Sequence, residues 1–185
     1  MAAFVAALLV QLTDRTMWRA AMTGDRFSDK AEVVAGMALG LALGNGAASF
    51  GGVLIGAELT PEASALLLAI ALASAGIGAV MPVKMPGTRL INARLGAFGA
   101  GLVGTLALAL TDRTQFVTAA LAARTTLPIL APTGAVLGSL AVIIPAIFIG
   151  ERALGTWRLA VVRPIIGGVL LLASAITGLG ALRLL

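Results

Sequence analysis

The residues Thr-Asp-Arg-Thr occur twice in this chain, at Thr13–Thr16 and again at Thr111–Thr114, each time inside a long apolar run. A charged side chain at the centre of a membrane helix costs about 2.5–3.5 kcal/mol or more, and such residues are kept where they bind or pair with something. Asp14 and Asp112 are therefore the candidate ion-binding groups. Thr13, Thr16, Thr111, Thr114, Gln11 and Gln115 offer neutral oxygens around them, and a set of hard oxygen ligands suits Ca²⁺, Mn²⁺ or Mg²⁺. Two carboxylates balance one divalent cation, and the adjacent Arg15 and Arg113 tune the local charge. A monovalent ion or a small cationic solute would satisfy the same pair. Asn45 and Ser49 are secondary candidate ligands, lying in a segment whose Gly44-Asn45-Gly46 is expected to interrupt its helix, as Pro145 is in the other half.

A different role is open to the same residues. Interhelical ion pairs, Asp14 with Arg113 and Asp112 with Arg15, would lock two helices together and move nothing, making the chain a membrane scaffold or partner subunit. Export of small organic cations or amino acids is a third reading. Enzymatic chemistry has little to work with: the chain holds no Cys and no His, which removes thiol, imidazole and soft-metal chemistries, and no nucleophile–base pair stands out. No cofactor is expected beyond the transported cation.

The elements that must carry these residues follow from composition. Hydrophobic residues make up 59% of the 185, charged residues only 11%, and mean hydropathy is +1.05. That is the composition of an all-α polytopic membrane protein. A spanning helix needs about 20 apolar residues, and turn signals divide the chain into six candidates at roughly 2–22, 31–55, 62–80, 95–122, 127–149 and 159–183. The N-terminal run lacks a basic leader and proceeds into Asp14 and Arg15, so it reads as a retained first helix.

The two tetrapeptides lie 98 positions apart (112 − 14), and so do the glycine pairs Gly36/Gly40 and Gly134/Gly138 (134 − 36). This register divides the chain into a first three-helix repeat (1–80), a connecting loop (81–94) and a second three-helix repeat (95–185). Three helices per repeat is an odd number, so the repeats must be inverted, with the site near the bilayer midplane. Arg19, Arg26, Lys30, Lys84, Arg89, Arg94, Arg152 and Arg158 fall on one side, against Arg124 and Arg183 on the other. By the positive-inside rule the 81–94 loop is cytoplasmic and both termini face outward, as expected for a bacterial inner membrane. Arg163, about a turn into the last helix, reads as a snorkelling anchor, and Trp157 as an interfacial one. Trp18 and Phe116, at equivalent positions after the two motifs, read as packing or as gates over the site. The expected partners are the lipid bilayer, a metal ion and protons, with homodimerisation open; short basic loops give no nucleic-acid surface.

With these residues in view, the chain resembles, over its whole length, the small six-helix cation/proton exchangers that include the Golgi and chloroplast manganese transporters. Each inverted three-helix repeat of that family carries Glu-x-Gly-Asp-Lys/Arg-Ser/Thr in its first helix. Gln11-Leu12-Thr13-Asp14-Arg15-Thr16 and Ala109-Leu110-Thr111-Asp112-Arg113-Thr114 fall on this pattern, and Gln115 matches the glutamine that often follows it. Gln11 and Ala109 stand where the family has glutamate, and Thr13 and Thr111 where it has glycine. The resemblance implies manganese or calcium export against protons, with the motif carboxylates as ligands.

Overall fold

The computed structural model describes residues 1–81, 95–109, 112–156 and 159–184. The expected 81–94 loop, Met81 apart, lies outside the described residues, as do Thr111, Trp157 and Arg158. The described elements are all helical: α1 (Ala2–Thr13), α2 (Arg15–Arg26), α3 (Lys30–Gly56), α4 (Pro61–Val80), α5 (Gly96–Ala109), α6 (Arg113–Ala122), α7 (Leu130–Gly155) and α8 (Leu159–Ala181). Four stretches are long and apolar enough to cross a membrane: α3, α4, α7 and Val161–Ala181 of α8. Their outward residues are themselves apolar, among them Leu43, Phe50, Ile70, Leu137, Phe148, Val169 and Leu172. Helices apolar on both faces are those of an integral membrane protein rather than of a water-facing bundle.

The remaining two expected spans, 2–22 and 95–122, are not single helices. The first is broken at Asp14, whose backbone is extended (φ −92°, ψ 164°), and α2 starts at Arg15. The second is broken at Asp112 (φ −80°, ψ 123°), and α6 starts at Arg113. With 12 residues in α1 and 14 in α5, neither upstream piece reaches the ~20 residues a span requires. Apolar composition hides such a break because the upstream pieces α1 and α5 are as apolar as continuous spans. The informative residue is the aspartate itself, which ends one helix and caps the next.

Each broken pair lies along one long helix. Both α1 and α2 pack on α7, both α5 and α6 pack on α3, and α4 packs on α8. The contacts along α3 are so close that a Cβ added at Gly36 or Gly52 would meet the backbone of Phe98 in α5 or Ala119 in α6. These contacts give the register, with α3 running in the same direction as α5 and α6. Ala7 and Gly24 meet Gly138 and Ile147 in the same way, so α1 and α2 run with α7. Lys30 Nζ donates to Phe148 O (3.3 Å) and Ser49 Oγ to Pro128 O (3.2 Å), making α3 and α7 antiparallel. Ser174 Oγ donates to Ala69 O (2.7 Å) and Arg183 pairs with Glu62 (2.9 Å), so α4 and α8 are antiparallel as well.

The expected interruption of α3 at Asn45 does not occur. The helix is continuous, and Asn45 Nδ2 donates back to Leu41 O at 2.9 Å. In α7 the break falls at Gly150 (φ 80°, ψ 171°) rather than at Pro145, in a backbone region open essentially to glycine alone. Residues of α2 and α3 hold both sides of it: Lys30 takes the carbonyl of Phe148, and Glu151 N donates to Asp25 Oδ2 at 2.8 Å. Asp29 caps α3, accepting from Glu32 N at 3.2 Å.

Candidate functional site

Asp14 and Asp112 meet in space. With Arg15, Leu108 and Arg113 they line a small polar cavity of about 110 Å³ at the two helix breaks. Each aspartate is the N-cap of the helix that follows. Asp14 Oδ2 accepts from Thr16 N (3.3 Å) and Thr16 Oγ1 (2.8 Å), and Asp112 Oδ1 accepts from Thr114 N (2.8 Å). The Asp-Arg-Thr spacing produces this locally, since an N-cap carboxylate satisfies the amide at the second helical position. It also sets a carboxylate at the positive end of each half-helix dipole. The extended backbone at Asp14 and Asp112 lines a polar cavity and is capped.

Asp14 Oδ1 and Asp112 Oδ2 take no part in these caps. Nor do the arginines pair across the site: among the described residues the only carboxylate–cation pair within 4.0 Å is Arg183–Glu62, far along α4 and α8. Arg15 is exposed, and the guanidinium of Arg113 lies against Gly78 of α4, where a Cβ would collide with it.

The flanking polar residues are arranged differently from expectation. An unbroken helix would put Gln11 on the same face as Asp14, but the break cancels that periodicity. Gln11 is wholly buried, and its Oε1 accepts from Thr114 Oγ1 (3.4 Å) and Ser139 Oγ (3.3 Å), bridging α1 to α6 and α7. Its Nε2 is sealed from solvent with no partner among the described residues. Gln115 does not join it; its amide lies against Gly44 of α3. Thr13 turns its hydroxyl to Val10 O (2.8 Å), where it is occupied by its own helix. Thr16 and Thr114 are buried beside their aspartates. Asn45 accepts from Thr118 Oγ1 (3.0 Å), and Ser49 is spent on Pro128 O. These secondary candidates thus hold helices together and do not line the aspartate cavity. Of the two aromatic residues, Trp18 packs on the core between α2 and α7 while Phe116 is 38% exposed, so they do not form a matched pair of gates.

Four residues with a structural part near the site were not singled out, or were misread, in the sequence. Ser139 and Thr118 appeared as ordinary helix residues, and only their tertiary partners distinguish them. Arg19, grouped by sequence with the loop cations, is 2% exposed and its guanidinium packs on Gly104 of α5. Arg163 does not snorkel; it reaches the break at Thr13.

No set of three or more His, Cys, Asp or Glu side chains suited to a metal occurs among the described residues. A divalent ion in the aspartate cavity would therefore have two carboxylates and would complete its shell from neutral oxygens or water, a weak-affinity arrangement by the ligand-charge rule. Comparison of the chain with protein-family models, with curated proteins and with solved structures finds no match among any of the three.

Proposed function

We propose that this protein is a membrane transporter of cations that exchanges a divalent metal, Mn²⁺ or Ca²⁺, against protons at the Asp14–Asp112 cavity. One observation carries the reading. Two carboxylates from separate broken helices share one cavity, each spending a single oxygen on its cap, with no guanidinium among the described residues within ion-pairing distance of either. A scaffold locked by Asp14–Arg113 and Asp112–Arg15 pairs would be expected to make those pairs.

Exchange follows from competition for the same oxygens. A divalent cation needs both carboxylates ionised, whereas protons neutralise them, so cation and protons occupy the site in alternation. The cap bonds keep each carboxylate in place in either state, and a site with only two carboxylates favours release as well as capture.

Counting α1–α2 and α5–α6 as one span each gives six spans, three in each half. The counterpart helices α3 and α7 run antiparallel, which supports an inverted pair of repeats. Arg26, Lys30 and Arg152 would then mark the cytoplasmic side. The arrangement agrees with the resemblance to the six-helix cation/proton exchangers, with Gln11 and Ala109 in place of the motif glutamates.

The test is ion flux in proteoliposomes containing a pH-sensitive dye, offering Mn²⁺, Ca²⁺ and Na⁺ in turn to wild type, Asp14→Asn and Asp112→Asn. Metal-dependent proton movement lost in both variants is expected. Absence of flux from folded wild-type protein with every ion would refute the exchanger and favour a scaffold or an organic-solute exporter.

A further inference from the structure

Arg163 sits in α8, yet its hydrogen bonds are made to two other elements. Nη2 donates to Met81 O at 2.8 Å and to Thr13 O at 3.3 Å. Met81 is the C-cap of α4 and Thr13 is the last residue of α1. Both acceptors are carbonyls at helix C-termini, which lack a partner within their own helix and lie at the negative end of its dipole. A guanidinium is suited to both needs, because its donors fan out in a rigid plane and it keeps its charge. Its Nε is sealed from solvent with no acceptor among the described residues, as expected of a side chain drawn inward rather than toward the membrane surface.

The Thr13 carbonyl belongs to the peptide unit that Asp14 continues. Holding that carbonyl fixes the peptide plane at the break, and with it the direction from which the Asp14 side chain enters the cavity. Asp14 has few other restraints on its upstream side: its own amide makes a 3.2 Å bond to Gln11 O, and the Thr16 bonds act from downstream. The second repeat has no equivalent clamp from α4, which contains no Lys or Arg between Pro61 and Val80, and position 65, which is 98 before Arg163, is Ala65.

We infer that Arg163 is a positioning residue for Asp14, tying the carbonyl ends of α1 and α4 to α8 so that the Asp14 carboxylate is fixed in the cavity and coupled to the α4–α8 pair. The transport consequence rests on the exchanger proposed above; the positioning itself does not.

Two readouts separate them. The first is hydrogen–deuterium exchange of the full-length protein, comparing wild type with Arg163→Gln and Arg163→Lys. Loss of the clamp is expected to raise amide exchange over Asp14 to Trp18 by about tenfold, with α3 unchanged, since local opening is what such exchange reports. The lysine variant keeps the charge but not the two-carbonyl reach, so it should fall between. Should the glutamine variant fail to fold, the lysine variant decides. Exchange at the break equal to wild type, or raised alike in all helices, overturns the inference. The second is Mn²⁺-driven flux: KM should rise several-fold, roughly 3–10, with maximal rate changed less than twofold, the signature of a displaced binding group. Loss of maximal rate at constant KM also overturns it. If wild type moves no cation while the exchange result holds, the transport reading falls and the positioning of Asp14 by Arg163 stands.

Discussion

Asp14 and Asp112, 98 positions apart in sequence, line one cavity and cap the helices that follow them through the same two-residue step, to Thr16 and to Thr114. Caps and candidate ligands are here the same two side chains, so their substitutions separate two effects. Asparagine retains the cap and alanine does not. Asp14→Asn and Asp112→Asn should stay within about 0.5 kcal/mol of wild type in stability, whereas the alanine variants lose a further ~0.5–2 kcal/mol. Unfolding in detergent with flux measured in parallel checks this: both pairs should lose transport, and only the alanine pair should lose stability as well.

Gln11 invites a gain. Its amide oxygen serves two hydroxyls while its Nε2 has no acceptor among the described residues, and a buried polar group left unsatisfied costs about 1–3 kcal/mol. Gln11→Glu keeps an acceptor for Thr114 and Ser139, removes the orphan donor and adds a third carboxylate near the cavity. Divalent-cation affinity should rise by about tenfold or more, since affinity at such sites follows ligand charge. Titration calorimetry with Mn²⁺ decides it, and an unchanged Kd would place Gln11 outside the ion's reach.

Bound metal should also stabilise the fold. A cation present at 100 times its Kd is worth about 2.7 kcal/mol when it binds only the folded state. Melting temperature should therefore climb with Mn²⁺ or Ca²⁺ and return on chelation, and the climb should vanish in Asp112→Asn.

Glycine contacts make contrasting predictions along α3. A leucine at Gly52 would drive its Cβ into the backbone of Ala119, while Gly46 has no heavy atom within 4 Å of a Cβ. Gly52→Leu should destabilise by at least ~1–3 kcal/mol; Gly46→Ala should be neutral or stabilising by up to about 1 kcal/mol. Thermal unfolding of the two variants in one detergent tests the pair.

At Gly150 the positive φ and the space are both limiting, since an added Cβ would also run into the Asp25 carboxylate. Gly150→Ala should cost about 1–3 kcal/mol through backbone strain. Asp25→Asn, which keeps an acceptor for Glu151 N, should cost far less by the same measurement.

Helical character, membrane residence and the two aspartates could all be read from hydropathy and from the repeated tetrapeptide. The breaks could not be read from hydropathy, because α1 and α5 are as apolar as continuous spans; the available clue was an N-cap residue in mid-run, Asp14 and Asp112 each followed by threonine two residues on. Arg19 and Arg163 were misread for a related reason. Sequence gives their distance from a helix end but not the face they occupy, and both face protein. Gln11 lost its expected place beside Asp14 because helical periodicity does not continue through extended backbone, and gained Ser139 as a partner from a helix 128 positions away.

The unbroken helices α3 and α7 each run beside both halves of a broken one. Mechanically they are splints. With its two pieces held against a common rail, a severed helix is free to twist or slip lengthwise at its fracture but not to fold apart. Any motion at Asp14 or Asp112 is thereby confined to a single axis, along the rail.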